Sequence, residues 1–230
     1  MSASFDIEMS LGASPDVHIF GVDEVGRGPL AGPVVAAAVH IPVHLWDAPQ
    51  VAQFQDSKKV RPALRQELAV WIKEHCTWAL AEVDAAEIDR LNILQASLTA
   101  MARALDQVKV DFALIDGNRV PTMAGICQAS IGQAGTHQIE AHQSAAHQTG
   151  ACQAVVKGDA KSRSIAAASI LAKNHRDTLM ETLDAEFPQY GWAQNAGYPT
   201  AHHRQALRDH GATCYHRATF RGVKNVTKCN

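Results

Sequence analysis

Two adjacent carboxylates, Asp23 and Glu24, stand between an apolar run ending at Val22 and a glycine loop, Gly26-Arg27-Gly28, beyond which a second apolar run extends from Val34 to Val39. Neighbouring acids raise each other's pKa and destabilise a fold unless something cationic lies between them. Glycines lacking a side chain let a backbone approach a ligand closely. The order strand, acid pair, glycine loop, strand therefore points to a metal-dependent site beside a phosphate-bearing substrate. Two commoner phosphate motifs do not fit. Gly26, Gly28 and Gly32 are one residue off the dinucleotide fingerprint, and Pro33 with a β-branched pair follows where that fold needs a helix N-terminus. A P-loop would need Gly-Lys-Ser/Thr next, and none is present.

Two further acids occupy comparable places. Asp116 ends the short apolar strand 112–115 and is followed at once by Gly117, while Asp159 follows the strand 154–156 in Lys157-Gly158-Asp159. The carboxyl ends of buried strands are where α/β sheets place active-site groups. One sheet would bring Asp23, Glu24, Asp116 and Asp159 together as an all-oxygen donor set, which favours Mg²⁺ or Mn²⁺ over zinc. Two such ions about 4 Å apart can hold a phosphodiester, activate a water and stabilise the leaving oxygen.

The elements that must position these acids follow from apolar spacing. Leu64, Leu68, Trp71 and Ile72 recur at helical intervals over 62–75, with Pro62 suited to the first turn. A strand is expected at 78–83, and one long amphipathic helix over 85–108. A helix over 162–187 opens on the small-residue stretch 165–172, which lets it press close to a sheet. A last helix runs from an N-cap at Thr200 to about His210. Residues 1–16 read as a frayed tail, 17–215 as one catalytic domain, and 216–230 as a basic, extended tail. Within the domain, glutamine recurs every five residues from 128 to 153, preceded by histidine at 137, 142 and 147, so about 124–151 is a low-complexity insertion read as a surface loop.

Composition bounds the function. The 230 residues are 47% hydrophobic and carry a net charge of −2, which describes an ordinary globular chain. No apolar run approaches the ~18 residues needed to span a bilayer, and the acidic N-terminus resembles neither a secretory signal nor a transit peptide. The charge is uneven: −7 over residues 1–156 and +5 over 157–230, as suits a polyanion held by one region and cut by another. Five cysteines, Cys76, Cys127, Cys152, Cys214 and Cys229, include no C-x-x-C pair, which argues for a reducing, cytoplasmic setting and against a disulfide framework or structural zinc.

Seven motifs in order give the chain a family resemblance: Gly21-Val-Asp-Glu-Val-Gly-Arg-Gly-Pro-Leu-Ala-Gly32, Asp56-Ser-Lys-Lys59, Leu91-Asn-Ile-Leu94, Leu114-Ile-Asp-Gly-Asn118, Lys157-Gly-Asp-Ala-Lys161, Ser164 to Lys173, and Gly197-Tyr-Pro-Thr200. From Ile19 to about Phe220, apart from the insertion, the chain resembles ribonuclease HII, the type 2 ribonuclease H family. The resemblance implies an α/β RNase H-like fold, with a mixed five-stranded sheet flanked by helices and a C-terminal helical extension. It implies that Asp23, Glu24, Asp116 and Asp159 hold two divalent cations, Mg²⁺ or Mn²⁺. It further implies that Gly26, Arg27 and Gly28 read a ribonucleotide's 2′-hydroxyl, the group that separates RNA from DNA at one nucleotide. Tyr198 would stack on the neighbouring deoxyribose, and Lys58, Lys59, Lys161 and Lys173 would contact phosphates, positioning the duplex without reading sequence.

The implied activity is hydrolysis of RNA in RNA–DNA hybrids and nicking of duplex DNA 5′ to embedded ribonucleotides, by a monomer that uses no membrane. A replication-clamp contact through the tail is left open by the resemblance. The competing reading is a catalytically inactive hybrid-binding module, which would be expected to lack at least one of the four acids. The type 3 relative carries an additional N-terminal domain, for which the residues before Val22 leave no room. Three departures stand out: the 43-residue separation of Asp116 from Asp159, Asn195-Ala196 where relatives often carry a basic pair, and Asn174-His175 after Lys173. None touches the acids.

Overall fold

The computed structural model describes residues 3–122 and 150–224. Residues 1–2, 123–149 and 225–230 lie outside the described residues, and with them most of the insertion expected over about 124–151, whose expected end is corrected because β5 already opens at Ala151. In chain order the elements are α1 (Asp6–Ser10), β1 (Ile19–Val25), β2 (Val34–His40), α2 (Pro62–His75), β3 (Thr77–Val83), α3 (Ala85–Leu91), α4 (Ile93–Leu105), β4 (Phe112–Asp116), β5 (Ala151–Val155), α5 (Arg163–Glu186), α6 (Trp192–Asn195) and α7 (Ala201–His210).

The five strands form one mixed sheet in the order β3-β2-β1-β4-β5. β1 and β3 run antiparallel to β2, whereas β4 runs parallel to β1 and β5 parallel to β4. The carboxyl ends of β1, β4 and β5 therefore lie along one edge, and the acids follow from that topology. Alternation along the strands splits the core in two. Val35, Ala37 and Val39 pack with α2 and the small-residue face of α5, and Val34, Ala36, Ala38, Ala113 and Ile115 pack with α3 and α4. Gly21 shows how close α5 lies: a Cβ there would sit 2.0 Å from the Ser164 carbonyl carbon. No side chain fits between β1 and the start of this helix, so α5 is fixed directly against the strand that carries Asp23.

Three further expectations are corrected. The single helix expected over 85–108 is two, because Asn92 takes φ 67°, and its side chain caps α4 by accepting from the Leu94 and Gln95 amides. Asparagine tolerates this left-handed backbone better than most residues. The N-terminal segment is not frayed from residue 3 onward: Ala3 and Glu8 are buried, and Phe5 stacks on Trp46 with ring centroids 3.9 Å apart. Residues 216–224 are not a free tail either, since His216 and Arg217 are buried and Arg217 N–H donates to Leu30 O at 2.9 Å. Placing a domain boundary at 215/216 would cut through this packed segment.

A third cluster of Met180, Leu183, Tyr190, Trp192, Ala206 and Leu207 seats α6 and α7 on the second half of α5. Among the described residues, no helix is long and apolar enough to cross a membrane.

Candidate active site at the carboxyl edge of the sheet

Asp23 and Asp116 project from the α5 face of β1 and β4, the face shared with Ile19, Leu114 and Ile165. Asp159 lies in the 3₁₀ turn Gly158–Ala160 between β5 and α5. This turn is tied to β4 directly, because Gly158 N–H donates to Asp116 Oδ1 at 2.6 Å. Glu24 has the opposite strand parity but sits at the strand end and accepts from Arg27 Nη1 at 3.2 Å.

The acids act on one another. Burial, then the carboxylates of Glu24 and Asp116, push Asp23 well above the ordinary carboxylate range, against a hydroxyl bond from Ser169 and the Glu24 N–H. Glu24 is raised by burial and by Asp116, with Arg27 opposing. Asp159 is raised by burial, Asp116 and Asp56, with Lys58 opposing. Asp116 thus couples to all three of the others. Among the described residues, no three His, Cys, Asp or Glu side chains meet as a ready-made cation cage. The set still fits divalent cations: it is all oxygen, anionic, partly desolvated and countered by few cationic side chains, which is the electrostatic situation that bound Mg²⁺ or Mn²⁺ relieves.

The glycine loop beside the acids is built from below. Gly26 takes φ 96°, and a Cβ there would meet Arg176 Nε at 2.3 Å. Arg217 donates through all five of its N–H groups: to Gly26 O at 2.6 Å, Arg27 O at 3.0 Å, Pro29 O at 2.9 Å, and Gly32 O at 3.1 and 2.8 Å. Arg176 donates to Ala31 O, Pro33 O and Ala196 O at 3.1, 3.0 and 2.9 Å. In a trans peptide the carbonyl and the next N–H point to opposite sides. With the Gly26 and Arg27 carbonyls turned inward, the amides of Arg27 and Gly28 face outward, on exposed residues and with no acceptor among the described residues. Tyr198 roofs this edge, since a Cβ on Gly28 would lie 3.3 Å from its Cε1.

Tyr198 is itself held by a buried chain. Thr213 N–H donates to His216 Nδ1 at 2.9 Å, which leaves His216 Nε2–H to donate to His203 Nε2 at 3.1 Å. Trp192 Nε1–H donates to the same nitrogen at 3.2 Å, and His203 Nδ1–H reaches Tyr198 O at 3.0 Å. Both imidazoles must be neutral for this order. Burial and His203 push the His216 pKa down to about 3, and burial lowers that of His203. A folded-state pKa below the unfolded value means that the stabilisation is fully present above about pH 6.5 and is lost as pH falls toward 3. We expect unfolding free energy to drop by a few kcal/mol across that window, and His216→Gln to flatten the drop in urea titrations at stepped pH.

The predicted lysines are less uniform. Lys58 is exposed and close enough to Asp159 to oppose its raised pKa. Lys59 and Lys161 are exposed, with Lys161 two residues past Asp159. Lys173 is held in an ion pair: its Nζ lies 2.6 Å from Asp177, and Asp177 also takes Arg65 at 2.8 Å. Of the departures, His175 pairs with Glu82 at 2.6 Å, and Asn195 accepts from the Gly197 N–H at 2.8 Å. Four positions that support the loop and the acids are not singled out by the sequence reading: Arg176, Arg217, Ser169 and Ser57. Ser57 and Ser169 hydroxyls lie 2.9 Å apart, so with Ser169 donating to Asp23, Ser57 donates to Ser169 and links the lysine loop to the acids. Burial pushes the Cys76 and Cys152 thiols up to about 12 and 11, so neither is a poised nucleophile.

Known proteins share this arrangement of elements. The Ribonuclease HII family profile matches residues 20–223. A ribonuclease HII of Rhodospirillum rubrum is 47% identical over 95% of this chain and 91% of its own length. That of Dechloromonas aromatica is also 47% identical, over 88% of this chain and 90% of its own. The crystal structure of a ribonuclease H2 from Pyrococcus horikoshii superposes with TM-score 0.68 at 21% identity, covering 90% of this chain and 96% of that one.

Proposed function

The chain belongs to the ribonuclease HII family, endoribonucleases acting on RNA–DNA hybrids, and from that premise we propose that it also nicks duplex DNA 5′ to an embedded ribonucleotide, using two divalent cations held by Asp23, Glu24, Asp116 and Asp159. The observation that carries this reading is the pairing of a mutually repelling acid cluster with a loop whose Arg27 and Gly28 amides face outward. When bound, the cations would supply an activated water and offset charge on the leaving oxygen, giving 3′-hydroxyl and 5′-phosphate ends.

The chain's own groups do the rest. Asp116, fixed by the Gly158 amide, keeps the two acid-bearing loops in register. Outward amides at Arg27 and Gly28 suit a 2′-hydroxyl, which has lone pairs to accept from them. The exposed Tyr198 ring suits a sugar lacking that group, and Lys58 suits the adjoining phosphate. Mg²⁺ or Mn²⁺ both suit the oxygen set, and the solved Bst-RNase HIII complex with Mn²⁺ supports divalent-cation use. A clamp contact through the C-terminal tail has one support, the solved PCNA:RNase HII complex from Archaeoglobus fulgidus.

The test is incubation of duplex DNA bearing one ribonucleotide with Mg²⁺ or Mn²⁺. A nick on the 5′ side is expected. Folded protein that binds the duplex without cutting it under either cation would instead establish a binding module. Aromatic stacking is worth about 1–3 kcal/mol per contact, so Tyr198→Ala should slow single-ribonucleotide cleavage roughly 10- to 100-fold. Long-hybrid cleavage should fall less, and equal losses on both substrates would remove the junction-sensing role.

A further inference from the structure

The N-terminal arm, which precedes the family-matched span, grips the loop that carries Asp159. Ser4 N–H donates to Lys161 O and Arg163 N–H donates to Ser4 O, both at 3.0 Å, so one residue of the arm brackets Ser162 from either side. Glu8 then closes on the start of α5. Its Oε1 accepts from Ser162 Oγ at 2.7 Å and from Ser164 N–H at 3.2 Å. With its hydrogen committed to Glu8, the Ser162 hydroxyl offers a lone pair to Ile165 N–H at 3.2 Å, the N-cap bond of α5. The other side of the same turn is held by Gly158, whose N–H reaches Asp116 and whose carbonyl accepts from Lys161 and Ser162 at 2.9 and 2.8 Å. Asp159 is therefore suspended between Asp116 and the arm.

Hydrophobic contacts explain why the arm stays docked. Phe5 lies flat on Trp46, Ala3 is buried, and Ile7, Leu11 and Ala13 pack against Ile19, Leu114 and Ile165. They do not explain Glu8. This carboxylate is 1% exposed and its Oε2 has no hydrogen-bond partner. A buried, half-satisfied carboxylate is unfavourable for stability, and an apolar residue would dock the arm at lower cost. What the carboxylate supplies is an acceptor shared by two donors flanking the Asp159 turn.

We propose that Glu8 is a positioning residue that holds the 157–163 turn in register with Asp116, and so sets the affinity of the acid cluster for divalent cations. This rests on the reading of those acids given above. Three variants of the full chain test it, each by Mn²⁺ calorimetry, amide hydrogen exchange and the cleavage assay. Glu8→Ala should bind Mn²⁺ about tenfold or more weakly and exchange faster at the amides of residues 160–164. It should need correspondingly more cation for cleavage while reaching nearly the parent kcat at saturation. Glu8→Gln keeps an oxygen for both donors and should restore all three readouts. Should Glu8→Ala fail to fold, Glu8→Asp, which withdraws the oxygens by one methylene, replaces it and should behave the same way.

A folded Glu8→Ala with parent cation affinity and parent exchange at the turn overturns the inference. So does a Glu8→Gln as impaired as Glu8→Ala, because the acceptor geometry would then be irrelevant. If the parent chain binds no Mn²⁺ and Asp116→Asn changes nothing, the acid reading itself has failed. Exchange at 160–164 then separates that failure from failure of the clamp, since it requires no cation.

Discussion

Replacing Asp23 by Asn should abolish cleavage, by at least about 10³-fold, and at the same time make the cation-free protein more stable. The two effects share one cause. Asp23 is 7% exposed, beside the Glu24 and Asp116 carboxylates, and its pKa is raised well above the usual range. For an acid whose folded pKa lies above its unfolded value, the unfolded state ionises first. Stability is therefore lost progressively as pH climbs from about 3.8 through the raised value. An amide of the same shape removes the charge. Its oxygen can still accept from the Glu24 N–H, so the gain should be at least about 1 kcal/mol, or some 2–4 °C in a chain of this size. The measurement is thermal unfolding at pH 7 in EDTA, repeated with Mn²⁺. Mn²⁺ should raise the melting temperature of the parent and do much less for Asp23→Asn. A variant that melts lower in EDTA, or that still cuts, would show that Asp23 is not a strained ligand.

The acids were legible in the sequence because their position is a local property. Each ends a short apolar run or follows one, and the carboxyl ends of parallel strands meet whatever else the chain does. The small-residue start of α5 was legible for the same reason, and Gly21 against Ser164 is the contact it foretold. What could not be read were side chains whose meaning depends on a backbone far away in sequence. Arg217 reads as one more positive charge in a basic tail until the fold places it under carbonyls almost two hundred residues earlier. Glu8 reads as a solvated acid in a segment without periodicity, and its partners lie 154 and 156 residues on. Two features did leave a signal. Asn92 inside a helical pattern is a residue that accepts positive φ, and Lys173 has Asp177 four residues ahead on the same helix, the spacing of an ion pair.

Arg217→Lys should reduce both stability and ribonucleotide recognition while leaving the net charge unchanged. All five guanidinium donors are committed to four carbonyls of residues 26–32, and the group is buried over Phe220, its carbon 5.0 Å from the ring. Burial and the neighbouring Arg176 lower its pKa only to about 9, so it is a cation at neutral pH. An ammonium offers three donors from one point in place of a planar fork. At least one or two carbonyls would then be buried without a partner, at about 1–3 kcal/mol each. The expected fall in melting temperature is about 5–15 °C. Below that transition, the consequence should lie in the glycine loop. Once the Gly26 and Arg27 carbonyls can turn outward, the amides that share their peptide planes no longer converge on a 2′-hydroxyl. Cleavage of the single-ribonucleotide duplex should then drop by about 10²-fold, a loss comparable to that of a preorganised amide donor, while the Mn²⁺ affinity of the acid cluster stays near that of the parent. That split is the decisive reading. A generally loosened fold would weaken cation binding and cleavage together. A folded Arg217→Lys that cuts at the parent rate would mean that the loop keeps its shape without the fork, leaving Arg176 and the positive φ of Gly26 to hold it.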